Sequence, residues 1–388
     1  MTQMQLKART TAAAGVAAVL CLGGAQAALA APRPSAITVP CQATALSAAI
    51  STAVTGATLT LTSDCTYVLT AGLPAITDTL TIDGQGATVE RSYASGTADF
   101  SIFTVDAMGG DLNLNDVNIQ HGGGDTNKYG GGITNAGTVA IDGGTFSDSD
   151  GGKYGGAIYT DGSLTVRNAA FLDNTAAYAG AIYNYDTLVI TGTSFIGNTG
   201  YDDYGGAVYT QGTNVQIADS TFTNNSTDYE GGAIDNEGDM TLTGSAFTGN
   251  AAEYGGGVYS EDQATLYGDT FTGNDAAFGG GLYNDYLTTV DTSTFTQNAA
   301  YYGGGLYNDS GTLKIQNDLI SRNSVTDEGG GIYNDATLIT NSAFTVTDNT
   351  AAVGGGGIYN DGASVNLFFA NVSGNYPDDC EPVTGCHN

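Results

Sequence analysis

The chain has 388 residues, with 40 Asp and Glu against 9 Lys and Arg, for a net charge of −31. So few basic residues cannot hold the phosphates of a nucleic acid, and an anionic membrane face repels such a surface. Trp is absent, Gly makes up 58 residues, and the low share of Val, Ile, Leu and Phe with a high net charge leans towards a solvated polymer. Sequence periodicity reverses that reading.

Residues 1–30 read as a secretory signal. Lys7 and Arg9 form the positive end, Ala12 to Leu22 an apolar stretch, and Ala28-Leu29-Ala30 a small-residue cleavage site before Ala31. Cys21 follows Leu20, where a lipid-anchor site wants a small residue, so no lipid anchor is expected. No later segment is apolar enough to insert into a membrane. The mature protein is expected to be a monomer that is secreted, extracellular or associated with the cell wall.

Cysteines then mark both ends. Cys41 and Cys65 lie in an N-terminal cap spanning 31–70, and Cys380 and Cys386 in a tail spanning 376–388. Export permits disulfides, and near-neighbour pairing gives Cys41–Cys65 and Cys380–Cys386. Zinc is the alternative, with a poor ligand set in which only His387 is near. Between the cysteines of the cap, Leu46, Ala49, Ile50, Ala53 and Val54 keep helical spacing and predict a short amphipathic capping helix. Leu80–Gly84, Phe100–Val105 and Asp111–Ile119 read as irregular early coils.

From about 130 to 375 the chain repeats itself. A Gly-rich run ending in an aliphatic residue, usually followed by Tyr, recurs from Gly155-Gly-Ala-Ile-Tyr159 to Gly355-Gly-Gly-Ile-Tyr359. Counting from a degenerate copy at Ile133, nine intervals of 24 to 26 residues reach Ile358. Phe-x-x-Asn keeps the same beat from Phe171–Asn174 to Phe295–Asn298, with weaker copies ending at Asn323, Asn349 and Asn375. Each repeat holds three short strand signals and no helical period.

Such a unit cannot bury a core alone. Stacked coil on coil, each strand pairs in parallel with its copy one repeat away, and equivalent residues form columns. The expected fold is all-β: a single right-handed parallel β-helix over 71–375, of about 12 coils and roughly 60 Å at ~4.8 Å per coil. Aliphatic residues and Phe form inner columns, and the Asn of Phe-x-x-Asn an amide ladder.

Two outer columns are the candidate sites. One position after the buried aliphatic residue is Tyr in eight of nine coils, Asp235 being the exception. Alternation turns these residues outward, and Tyr259, Tyr283, Tyr307, Tyr333 and Tyr359 are the expected ligand-binding stripe. The competing structural reading is that they stack on one another and shield the sheet. A second aromatic series, including Tyr154, Tyr178, Tyr204, Tyr254, Phe278 and Tyr302, lies four residues before the aliphatic position. Three positions after it, Glu237, Glu261, Asp285, Asp309, Asp335 and Asp361 form a run of acids that suits weak Ca²⁺ association. No cofactor is otherwise required.

The paired Gly-Gly-[Ala/Gly]-[Ile/Leu/Val] and Phe-x-x-Asn motifs resemble the repeat of the chlamydial polymorphic outer-membrane proteins. With Cys41, Cys65 and Leu80-Thr-Ile-Asp-Gly84, the chain also resembles the secreted pectin-lyase-like β-helix proteins of actinomycetes. The resemblance implies the fold and an extracellular setting.

The sequence therefore predicts a secreted β-helix with an adhesin-like or structural role. It would contact an extracellular polysaccharide or cell-surface protein without catalysis, through a face lined by Tyr, Asp and Asn. The alternative is a polysaccharide lyase or glycoside hydrolase. A hydrolase needs paired carboxylates, for which Asp202, Asp203, Glu230 and Glu253 are the local cluster. A lyase needs a basic group, for which Lys128 and Lys153, at equivalent places in adjacent coils, are the candidates. His121 and His387 read as incidental.

Overall fold

In a computed structural model of the chain, the described residues are 36–124, 129–340, 342–361, 364–367 and 370–382. They belong to one compact unit that begins at Pro34. The predicted leader 1–30, Lys128, Cys386 and His387 lie outside the described residues.

Backbone hydrogen bonds run from coil to coil, giving a right-handed parallel β-solenoid of about 13 turns. Among the described residues its walls are sheets of 14, 13 and 12 strands, with a fourth of 7. The fourth was not foreseen. Its strands, such as Thr175–Ala176 and Ser226–Thr227, are mostly two residues long and carry no apolar alternation. Pairing starts at Ile37 inside the cap and extends to Glu381 inside the tail, wider at both ends than 71–375.

Register puts like on like: Ile158 pairs with Ile182, Tyr159 with Tyr183, and Phe171 with Phe195. The aliphatic column from Ile158 to Ile358 is fully buried. Phe146 to Phe295 stack with ring centroids 4.5–4.9 Å apart. That spacing, set by the sheet, is the offset-stacking distance aromatic rings favour. The first Gly of each pair turns the corner in the left-handed region, with φ +67° at Gly231. A Cβ on the next, Gly232, would run into the carbonyl oxygen of Gly256 in the coil above.

The amide ladder forms as the spacing predicts. Asn250 Nδ2 donates to Asn274 Oδ1 at 2.9 Å and to the Phe222 carbonyl of the coil below at 3.0 Å. The ladder runs from Asn174 to Asn375 and ends on Asp379 Oδ1 at 2.9 Å. At the N-terminal end the helix Ala43–Thr52 buries Leu46 and Ile50 against the first coil. It stops before Val54, which is exposed. Cys41 and Cys65 are joined. Cys380 is disulfide-bonded, and Cys386, its expected partner, lies outside the described residues. No helix among the described residues is long and apolar enough to cross a membrane.

Candidate functional site

The site is built on the outer face of the third sheet, whose repeat strands from Ile133–Asn135 to Ile358–Asn360 each hold one aliphatic residue, one outer residue and one inner polar residue. Alternation turns the Tyr of this strand outward, yet Tyr183, Tyr209, Tyr259, Tyr283, Tyr307 and Tyr333 are at most 8% exposed. The second aromatic series explains this. It leans over the column from the preceding turn, meeting it edge-on: Tyr254 on Tyr283 at 86° and Phe278 on Tyr307 at 88°. Within the column, Tyr307 lies 5.1 Å from Tyr283 and 4.9 Å from Tyr333, nearly parallel to both. The ring faces of Tyr259, Tyr283, Tyr307 and Tyr333 are thus taken up by one another, and Tyr359 is partly buried beside Tyr333. The expected ligand-binding stripe is a covered layer, because alternation sets the side of a sheet and not what folds over it.

A buried Tyr hydroxyl needs a partner; Tyr185 supplies it to Tyr183 at 2.9 Å, and for others the acid column does. Tyr209 donates to Glu237 Oε2 at 2.7 Å and Tyr307 to Asp335 Oδ2 at 2.9 Å; Tyr283 lies close enough to Asp309 to draw its carboxyl down. Each acid belongs to the coil after its Tyr. Burial raises the carboxyls of Asp309 and Asp335, and the tyrosines partly offset it. Among the described residues, no three His, Cys, Asp or Glu come together to hold a metal ion. The column Glu237, Glu261, Asp285, Asp309, Asp335 and Asp361 advances in single file, one carboxylate per coil, so the expected Ca²⁺ set does not converge.

In one coil the pattern breaks twice. Asp235 replaces the outer Tyr, and Glu230, in register between Tyr204 and Tyr254, replaces the second aromatic. The aromatic layer therefore splits into a block ending at Tyr204 and Tyr209 and a block starting at Tyr254 and Tyr259. Asp235 is fully buried, with neither carboxyl oxygen hydrogen-bonded. Burial, then Glu230, Glu237 and Glu261, raise its pKa well above the usual range. Burial and neighbouring Glu261 and Glu237 push Glu230 up to about 7. Beside the break, Glu237, Glu261, Asp262 and Tyr286 line a shallow cavity of about 340 Å³. The sequence marked Asp235 only as an exception; that Glu230 falls in the same coil was the available signal.

The expected catalytic cluster divides. Asp203 and Glu230 are neighbours along the solenoid, the Glu230 amide donating to the Asp203 carbonyl at 2.9 Å, while Asp202 and Glu253 are exposed. Lys153 places its ammonium 4.6 Å from the Tyr154 ring centroid and 5.6 Å from that of Tyr178. Its expected companion Lys128 lies outside the described residues. Sequence reasoning also passed over a mixed cluster at His121. There Glu90 Oε2 stands 3.7 Å from Nδ1, Asp148 Oδ2 3.9 Å from Nε2, and Tyr93 packs on the ring at 4.0 Å. Arg91 donates to the His121 carbonyl at 2.9 Å and lies 3.5 Å from Asp99.

Two stretches, 219–237 and 343–361, match the Chlamydia polymorphic membrane protein repeat. The first includes Glu230, Asp235 and Glu237. No curated protein matches the chain. Solved structures similar to it include tailspike protein 3 of bacteriophage CBA120, at 12% identity and a TM-score of 0.47, over 88% of this chain and 59% of that one. They also include PfbA, a surface adhesin of Streptococcus pneumoniae, at 13% identity and a TM-score of 0.38, over 78% and 85%. The chain thus spans 59% of the tailspike's length.

Proposed function

We propose that the protein is a secreted, pectin-lyase-like β-helix, extracellular or wall-associated, that holds a glycan or a protein surface without turnover. One observation carries this reading: exposed tyrosines line both rims of the third sheet. Tyr201, Tyr229 and Tyr301, 52%, 40% and 47% exposed, stand on the turn entering it, and Tyr185 and Tyr286, 41% and 57% exposed, on the turn leaving it. Between them lies the packed tyrosine layer, a support whose side chains have little freedom left to lose on binding. A rim tyrosine offers an apolar ring for a sugar or side chain and a hydroxyl for its polar edge.

The second reading, a polysaccharide lyase or glycoside hydrolase, is supported by the His121 cluster, where basic side chains meet carboxylates and a tyrosine. Both readings face one experiment: incubation of the mature protein with uronate and neutral polysaccharides and with surface proteins, followed by pull-down and end-group analysis. Retention without cleavage, weakened about fivefold or more in a Tyr201→Ala, Tyr229→Ala, Tyr301→Ala variant, is the expected result. New unsaturated or reducing ends would overturn it in favour of catalysis.

A further inference from the structure

Tyr209 and Tyr307 give their hydroxyls to an acid of the next coil, Glu237 and Asp335, so the tyrosine and acid columns are joined as a ladder. Asp235 interrupts it. Glu261, the acid that a tyrosine at 235 would serve, loses its donor, and Asp235 itself is buried with both oxygens unpartnered. Strand alternation turns Asp235 to the same side as Tyr209 and Tyr259, and Glu230, Glu237 and Glu261 are the charges nearest it. Glu237 already accepts the Tyr209 hydroxyl and, at 2.6 Å, Gln211 Nε2, both on Oε2. None of these carboxylates has an ion-pair partner among the described residues.

What is missing is therefore positive charge, hydrogen-bond donors and a body to rest on tyrosine. We propose that the break at Asp235 is a binding site for the ammonium or guanidinium end of a lysine or arginine side chain on a basic polypeptide. Such a group brings several donors on a long apolar stem, and so spans carboxylates spread over two coils, which a compact metal ion does not. The molecule shows the same chemistry within itself, for Lys153 rests on Tyr154 and Tyr178 of these aromatic series. The upward push on Glu230 and Asp235, caused by burial and mutual repulsion, is what a cation would relieve. The inference deepens the surface-binding reading by naming a partner. Its failure is separable, since Glu261→Gln leaves the tyrosines Tyr201, Tyr229 and Tyr301 intact.

The test titrates acetylated, amidated Gly-Lys-Gly, with Arg and Gln counterparts, into isotope-labelled full-length mature protein at low salt, reading backbone amide shifts. Saturating shifts confined to residues 230–238 and 257–263 are expected for the Lys and Arg peptides and not for Gln. Glu261→Gln should weaken binding about tenfold, a single charge-assisted contact. Asp309→Asn, the same loss of charge in an intact coil, should change it by less than about twofold. Asp235→Tyr, which completes the column, should abolish binding and raise the melting temperature. Should it misfold, Asp235→Asn serves in its place, with weakened binding expected. Equal weakening by Asp309→Asn, or shifts spread along the whole acid column, would reduce the effect to general attraction and overturn the site. Binding of amino-sugar oligomers in place of peptide would overturn the partner. Displacement of the peptide by low-millimolar Ca²⁺ in wild type but not in Glu261→Gln would assign the site to a metal ion instead.

Discussion

A tyrosine hydroxyl buried away from water must find an acceptor or cost about 1–3 kcal/mol. Tyr307 finds Asp335, and the bond serves both partners, since it draws down a carboxyl that burial pushes up. Tyr307→Phe keeps the stacked ring and removes only this bond. It should lower stability by about 1–2 kcal/mol in urea unfolding and move the Asp335 titration upward by NMR. An unchanged midpoint would mean that water serves Asp335 equally well. At this scale the sequence was half legible. The period-two rule put Tyr on the outer side of its strand and the acids on the following turn, and both lie there. Their coupling was not readable, because each pair joins residues one coil apart, 28 positions in the case of Tyr307 and Asp335. The cover given by Tyr254, Phe278 and Tyr302 depends on side-chain lean at a turn, which no periodicity encodes.

An element of this fold is a column rather than a strand, and its strength lies in repetition. Asn250 donates to Asn274 and to the Phe222 carbonyl, while its oxygen accepts the backbone and side-chain amides of Asn225. Asn250→Ala leaves these groups unpaired in a dry interior. It should cost about 3 kcal/mol or more in urea unfolding and speed hydrogen exchange at the Asn225 amide. Asn375→Ala, at the partly buried last rung, should cost less. Equal costs would show that the rungs act alone. The Phe-x-x-Asn beat makes this ladder legible in the sequence. A second ladder, Asn284 to Asn308 to Asn334 to Asn360 with 2.6 Å bonds, was missed. Its signal is the recurring Tyr-Asn-Asp, in which the Asn beside each outer Tyr faces inward. A third, alternating Ser and Asp at the corner between the first two sheets, was not legible. Ser245 N bonds Asp269 Oδ1, Asp269 N bonds Ser293 Oγ, and Ser293 N bonds Asp318 Oδ1. Ser and Asp at turns are too common to stand out.

For the whole molecule, these local arrangements add up to a dependence on acidity. Glu230, Asp269 and Asp318 are each pushed up to about 7, chiefly by burial, and Asp235 also lies well above its ordinary value. A carboxyl raised on folding binds its proton more tightly in the native than in the unfolded chain. Its stabilising contribution is complete below the unfolded value near 4 and is lost as pH rises through the folded value near 7. Repulsion within a chain of net charge −31 at pH 7 acts in the same direction. The protein should therefore be most stable near pH 4 and lose stability between about pH 4 and 7, the opposite of one held by salt-bridged carboxylates. A fall in melting temperature of about 5 °C or more across that window is expected by calorimetry. A double variant, Asp269→Asn with Asp318→Asn, removes two of the titrating groups while keeping an acceptor oxygen for Ser245 and Ser293. Its melting temperature should fall less over the same window, at any salt concentration. If salt alone flattened the wild-type profile and the variant ran parallel to it, surface repulsion, not the buried carboxyls, would govern the pH response.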